Sequence, residues 1–180
     1  MNRIILSSFV LFTVFFFISC SNSSNNTKTK TSGEKAEELL SRMTLEEKIG
    51  QMIQADYHAL KHNLDDIGKY NIGSILWGGD TEPDDLSPNA WANLSENLQS
   101  YSRKTRLKIP LIFGIDAVHG NNNVDSSVIF PHNIGLGAAS EPELVERIAR
   151  ITAIEMKGVG VHWNFAPCVA VARNIKWGRT

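Results

Sequence analysis

The stretch Ile109–Gly120, Ile-Pro-Leu-Ile-Phe-Gly-Ile-Asp-Ala-Val-His-Gly, constrains the fold of this chain more than any other. Pro110 suits the first residue of a strand, where its missing N–H breaks no ladder. Leu111, Ile112, Phe113 and Ile115 follow as a nearly unbroken apolar run. Such a run predicts a strand covered on both faces, the habit of parallel sheets. It ends in Asp116, with His119 and Gly120 close behind. An ionised carboxylate directly after a buried strand is costly unless something solvates or pairs it. Two readings of Asp116 stay open on spacing alone. It is a ligand-facing group at the carboxyl end of a strand, where α/β folds bind their ligands. Or it caps the turn that follows.

The rest of the chain supplies neighbours for that strand. Ala36, Leu39, Leu40 and Met43 share one face of an expected helix over Glu34–Met43. Thr44-Leu45-Glu46-Glu47 is a capping box, so a second helix is expected from Thr44, with Leu45, Ile49, Met52 and Ile53 on its buried side. Gln51–Asp56 reads equally as the end of that helix or as a first strand. Ile72–Trp77 reads as a strand, and Trp77 at its end either packs or stacks on a sugar face. A loop over Asp80–Ser87 leads to a helix capped by Ser87, with Pro88 at its first position. Trp91, Leu94, Leu98 and Tyr101 recur there at helical spacing, and Arg103, Lys104 and Arg106 suit its negative end.

Asn121–Ser140 reads as a long polar loop, a length that usually carries function. Ser140-Glu141-Pro142-Glu143 has the form of a further capping box. The helix after it is expected to bury Leu144, Ile148 and Ile151 with Val145, Ala149 and Thr152, and to stop at Gly158. Val161–Cys168 is expected as a third strand, broken by Pro167. Alternating strands and helices predict a parallel sheet with right-handed crossovers. Either a doubly wound sheet or part of a β/α barrel fits. No Gly-x-Gly-x-x-Gly follows a strand, so a dinucleotide fold has no motif here.

Composition narrows the function. A formal net charge of -1 carries no electrostatic footprint for nucleic acid, and 42% hydrophobic residues suffice for one core. Residues 1–19 have the layout of a secretory signal, with Arg3 followed by an apolar run from Phe9 to Ile18. Ser19-Cys20 resembles a bacterial lipoprotein cleavage site, which makes Cys20 the lipidated first residue and a membrane anchor. Phe17 stands where an aliphatic residue is usual, and ordinary cleavage near Ser19 is the alternative. Residues 20–33 carry no large apolar side chain and are expected to form a disordered tether. Cys168 is then alone in the body of the chain, so no structural disulfide is expected, and its default place is buried and inert. His119 and His132 lack partners at metal-ligand spacing and are read as hydrogen-bonding groups, with no metal.

Several motifs in order now resemble one family. Gly114-Ile-Asp-Ala-Val-His-Gly120, Asn121-Asn-Asn-Val124, Ile129-Phe-Pro-His-Asn-Ile-Gly-Leu-Gly-Ala138, Phe165-Ala-Pro-Cys168 and Trp177-Gly-Arg179 resemble glycoside hydrolase family 3. The likeness is to its β-glucosidases and exo-acting β-glucan glucohydrolases, and it runs back to Arg42–Met52. The resemblance selects the barrel: an α/β chain forming the N-terminal part of a (β/α)8 TIM-type barrel, over residues 34–180. It implies a β-glucoside or β-glucan oligosaccharide substrate and a retaining mechanism with two carboxyl groups. It assigns Asp116 and Arg179 to the terminal-sugar subsite. It places both catalytic carboxylates in regions this sequence does not include. A full barrel needs roughly 250 residues, so about three or four strands of eight are expected here, as an amino-terminal fragment of a larger enzyme. A β-N-acetylhexosaminidase of the same family is disfavoured by Ala117-Val118-His119, where such enzymes usually carry Glu and glycines. A non-catalytic surface lipoprotein that kept a sugar pocket is the alternative outside enzymes.

The anchor expectation is testable directly. Cys20→Ala should move the protein from the membrane fraction to the soluble one, since durable attachment depends on acylation. Equal release of wild type and variant would remove Cys20 from the account.

Overall fold

The computed structural model describes residues 29–79 and 81–178. The signal segment, Cys20 and Arg179 lie outside the described residues.

Two short helices open the fold. α1, Ser32–Arg42, starts two residues before the expected Glu34, because Thr31 and Glu34 form a complete capping box. The last two residues of the expected tether are therefore helical. α2, Leu45–Gln51, is capped by Thr44 and Glu47 as its sequence requires. β1, Gln54–Asp56, follows at once, so Gln51–Asp56 divides between the two structures that its pattern allowed.

Beyond β1 come α3 (Tyr57–Leu60), α4 (Asp65–Lys69), β2 (Ser74–Trp77), α5 (Pro88–Ser102) and β3 (Ile112–Ile115). Then come α6 (Asn133–Ala139), α7 (Pro142–Gly158) and β4 (Trp163–Asn164). The four strands pair in parallel, in the order β1-β2-β3-β4. That order decides between the two architectures the sequence left open. A doubly wound sheet reverses direction at a switch point, whereas a barrel adds each strand beside the last. The fold is the N-terminal part of a β/α barrel.

Strand register sorts the side chains. Ala55, Ile75, Trp77, Phe113 and Ile115 occupy one face. On it Trp77 stacks on Phe113 with centroids 4.3 Å apart and meets Trp91 of α5 at 5.1 Å. Leu98 of α5 and Met156 of α7 close the same core. Trp77 is only 1% exposed, so it packs rather than offering a sugar platform. The opposite face carries Gln54, Leu76, Ile112, Gly114 and Trp163, and Ile112 and Trp163 stand open to solvent. In a closed barrel this face turns inward. β3 is thus buried on one face here, not on both.

Six further expectations are corrected. The apolar stripe Leu45, Ile49, Met52 and Ile53 is exposed, Met52 to 86%. α2 docks instead through Glu47 and Gly50, and Gly50 lies so close that a Cβ there would stand 2.1 Å from the Tyr70 carbonyl oxygen. The polar stretch 121–140 is not all loop, because it contains α6. The capping box at Ser140 does not form: Ser140 is left-handed at φ 53° and ends α6, while Glu141 precedes α7 without a side-chain cap. α7 buries Ile148, Thr152 and Met156, leaving Val145, Ala149 and Ile151 outside. The third expected strand shrinks to the two residues of β4, and Cys168 beyond it is exposed rather than buried.

Arg106 also leaves its expected place at the end of α5. Its Nε and Nη2 donate to the Glu47 carboxylate at 3.0 and 2.5 Å, and Nη2 donates to the Arg42 carbonyl at 2.8 Å. Glu47 accepts from the Thr44 N–H as well, at 2.9 Å. One bidentate pair so joins the end of α1, the start of α2 and the segment after α5. Arg106 first, then the Thr44 N–H, lowers the Glu47 pKa below its ordinary value. The unfolded chain binds that proton more readily. The stabilisation is therefore complete above the ordinary glutamate range and lost as pH falls through the depressed folded value. Arg106→Ala should lower the melting temperature at pH 7, and the gap to wild type should close as the buffer is taken down through that range. A gap constant down to the most acid buffer would assign the loss to packing of the arginine stem.

Candidate active site

Polar groups gather at the carboxyl ends of the strands, each for a local reason. Asp56, ending β1, is already engaged: it caps α3 by accepting from the His58 N–H at 2.7 Å. β2 runs into Gly78 and Gly79, both at positive φ (81° and 62°), and a Cβ on Gly78 would stand 3.0 Å from the Asn123 amide. β3 ends at Asp116. Continuing the alternation of the strand, Asp116 falls on the Ile112–Gly114 face, the open one. It is exposed, and no hydrogen bond or ion pair to it occurs among the described residues. The turn-capping alternative therefore has no bond behind it.

The chain after Asp116 is held firmly. Ala117 is buried, and Asn164 of β4 grips its backbone from both sides. The Ala117 N–H donates to Asn164 Oδ1 at 3.0 Å, and Asn164 Nδ2 donates to the Ala117 carbonyl at 2.8 Å. Gly120 at φ 119° then brings the backbone against residues 128–130. There the Phe130 N–H donates to the His119 carbonyl at 2.8 Å. His119 Nδ1 lies 2.9 Å from the Phe130 carbonyl, which can only accept, so Nδ1 carries the proton of that bond. The His132 ring sits 4.1 Å from that of His119. The hydrogen-bonding role expected of His119 is met by a backbone carbonyl. Among the described residues no group of three His, Cys, Asp or Glu side chains is placed to hold a metal ion.

Of the sequence-expected site residues, Asp116 is placed at a strand's carboxyl end on the open face, while Arg179 and Cys20 fall outside the described residues. Asn164 was not singled out from the sequence. The signal available was an amide residue three positions before Pro167, at the end of an apolar segment.

A parallel sheet that grows strand by strand in chain order, with its free carboxylate at the strands' carboxyl end, defines part of a β/α-barrel enzyme of the kind whose ligands bind there. Residues 44–180 match the glycosyl hydrolase family 3 N terminal domain, and the chain belongs to that family. It is 33% identical over 159 residues to a lysosomal beta glucosidase of Dictyostelium discoideum, covering 78% of this chain and 19% of that one. A periplasmic beta-glucosidase of Salmonella typhimurium is 30% identical over 144 residues, covering 79% and 17%. A beta-glucosidase from Listeria innocua, solved in complex with glucose, superposes with TM-score 0.61 at 30% identity, over 83% of this chain and 21% of that one. The chain spans about a fifth of the length of these relatives.

The loop after β3 depends on one glycine. A Cβ at Gly120 would stand 2.2 Å from the Val128 carbonyl oxygen, at a φ that L residues rarely adopt. Gly120→Ala should destabilise by about 1–3 kcal/mol from backbone strain alone, with protease cleavage appearing between residues 118 and 130. An unchanged melting temperature and cleavage pattern would show that this close approach is dispensable.

Proposed function

We propose that the chain is the amino-terminal part of a retaining, exo-acting β-glucosidase or β-glucan glucohydrolase that releases glucose from non-reducing ends. One observation carries the proposal: Asp116, exposed and without a partner among the described residues, projects from the end of β3 on the face that a closed barrel turns inward. A carboxylate so placed offers its acceptor sites to a ligand. Two vicinal sugar hydroxyls can donate to it, and such charge-assisted bonds are among the stronger kind. Arg179 is the proposed second contact, a guanidinium donating to the same sugar. The likeness to glucosidases, one of them solved with glucose, supports this substrate class.

In this scheme, residues of this chain bind and orient the terminal sugar, and the nucleophile and proton donor belong to later parts of a longer protein. Residues 1–19 act as an export signal, residues 20–31 as the tether, and the domain begins with α1 at Ser32. Likeness to periplasmic enzymes supports export, and acylation at Cys20 holds the mature protein at a membrane.

Asp116→Asn in the full-length enzyme tests the sugar contact. It keeps the shape but exchanges an all-acceptor group for half donor. A hydrogen bond to a charged group is worth roughly 1.5–3 kcal/mol, so losing one or two should lower kcat/KM for an aryl β-glucoside by about 10- to 1,000-fold. The melting temperature should hold or rise. Unchanged kcat/KM with a lower melting temperature would make Asp116 a part of the scaffold instead.

A further inference from the structure

We infer that Asn164 is a positioning residue for Asp116: its carboxamide replaces the sheet rungs that would otherwise fix the backbone directly after that carboxylate. This rests on the sugar-binding role proposed for Asp116.

The ladder between β3 and β4 is short. Ile115 pairs with Asn164, and the Phe165 N–H donates to the Ile115 carbonyl at 3.0 Å. In a regular parallel ladder the next rungs run from the Ala117 N–H to the carbonyl of residue 165, and from the N–H of residue 167 to the Ala117 carbonyl. Residue 167 is a proline and has no N–H to give. β4 stops at Asn164, so neither rung forms. Ala117 is buried, and its two backbone groups would be left without partners at a cost. Asn164 supplies both, as acceptor at 3.0 Å and donor at 2.8 Å. A carboxamide presents one acceptor and one donor side by side without needing to be protonated, and only one orientation of it satisfies both bonds.

The consequence falls on Asp116. With no bond to its own carboxylate among the described residues, its position is set by the backbone on either side. Ile115 in the ladder fixes one side, and Ala117, held by Asn164, fixes the other. A ligand-binding carboxylate on so rigid a base loses little freedom on binding.

The same chemistry at the opposite end of β3 provides a control. There the Gln99 amide grips Leu111, accepting from its N–H at 3.0 Å and donating to its carbonyl at 2.8 Å. The two gripped residues are six apart, on the order of 20 Å along an extended chain.

The experiment is a double-mutant cycle in the full-length enzyme, measuring competitive inhibition by glucose, kcat/KM for an aryl β-glucoside, and melting temperature. Asn164→Ala should weaken glucose and lower kcat/KM by about 10- to 100-fold, the scale that misplacing a binding group by about an ångström brings. In an Asp116→Ala background the same change should leave both quantities nearly unmoved, while its effect on melting temperature persists. Gln99→Ala should lower the melting temperature and leave glucose inhibition intact. An equal fold-loss from Asn164→Ala in both backgrounds, or a matching loss of glucose affinity in Gln99→Ala, would overturn the positioning role while leaving Asp116 as a sugar ligand. Should Asp116→Ala itself change neither quantity, the sugar-binding role falls, and the positioning role with it.

Discussion

β3 is pinned at both ends by side-chain amides, and much of the rest of the structure depends on that constraint. A parallel strand satisfies its backbone only while both neighbours run alongside, and β3 is longer than β4, which pairs with only two of its residues. Gln99 from α5 takes the backbone groups of Leu111 before the strand, and Asn164 takes those of Ala117 after it. Between these grips Phe113 and Ile115 are held against Trp77, whose stack on Phe113 continues to Trp91. The core follows from this placement, as does the rigid seat of Asp116.

The uncovered surfaces belong to the same picture. Ile112 and Trp163 on the inner face of the sheet, Leu45 and Ile49 on α2, and Met52 just after it, are apolar yet exposed. Apolar residues at regular spacing are written for burial, and contiguous exposed patches mark surfaces that bind something. β1 and β4 are both edges within this sheet, each with a free row of backbone donors and acceptors. A barrel removes such edges by closing. The chain covers about a fifth of the length of the glucosidases it resembles.

Charge works at the other end of the molecule. Glu47 and Arg106 join segments 59 residues apart in the chain, on the amino-terminal side of the sheet and away from Asp116. Glu47 is paired there, and Asp116 has no partner among the described residues. Of two carboxylates in one domain, the one committed to structure is bonded on both oxygens, and the one left with open acceptor sites stands at the ligand end.

The alternation of the main strands and helices, the parallel sheet and the place of Asp116 after β3 were legible in the sequence, because they follow from local rules; the short helices α3, α4 and α6 were not. Those rules are apolar runs of strand length, capping residues such as Thr44 and Ser87, and a carboxylate that cannot lie within a buried strand. The family motifs settled the barrel, as the strand order then did independently. What the sequence could not decide was which apolar stripe finds a partner. Leu45 and Ile49 recur at helical spacing as Trp91 and Leu98 do, but α5 meets the sheet while the α2 stripe stays exposed. Nor could it show that Ser140 would turn left-handed to end a helix inside an expected loop, or that Arg106 would cross to Glu47. The role of Asn164 was hidden for the same reason. Its two bonds reach 47 residues back along the chain, and only the pairing of β3 with β4 brings that amide beside Ala117. Local chemistry wrote the elements, and long-range pairing chose their partners.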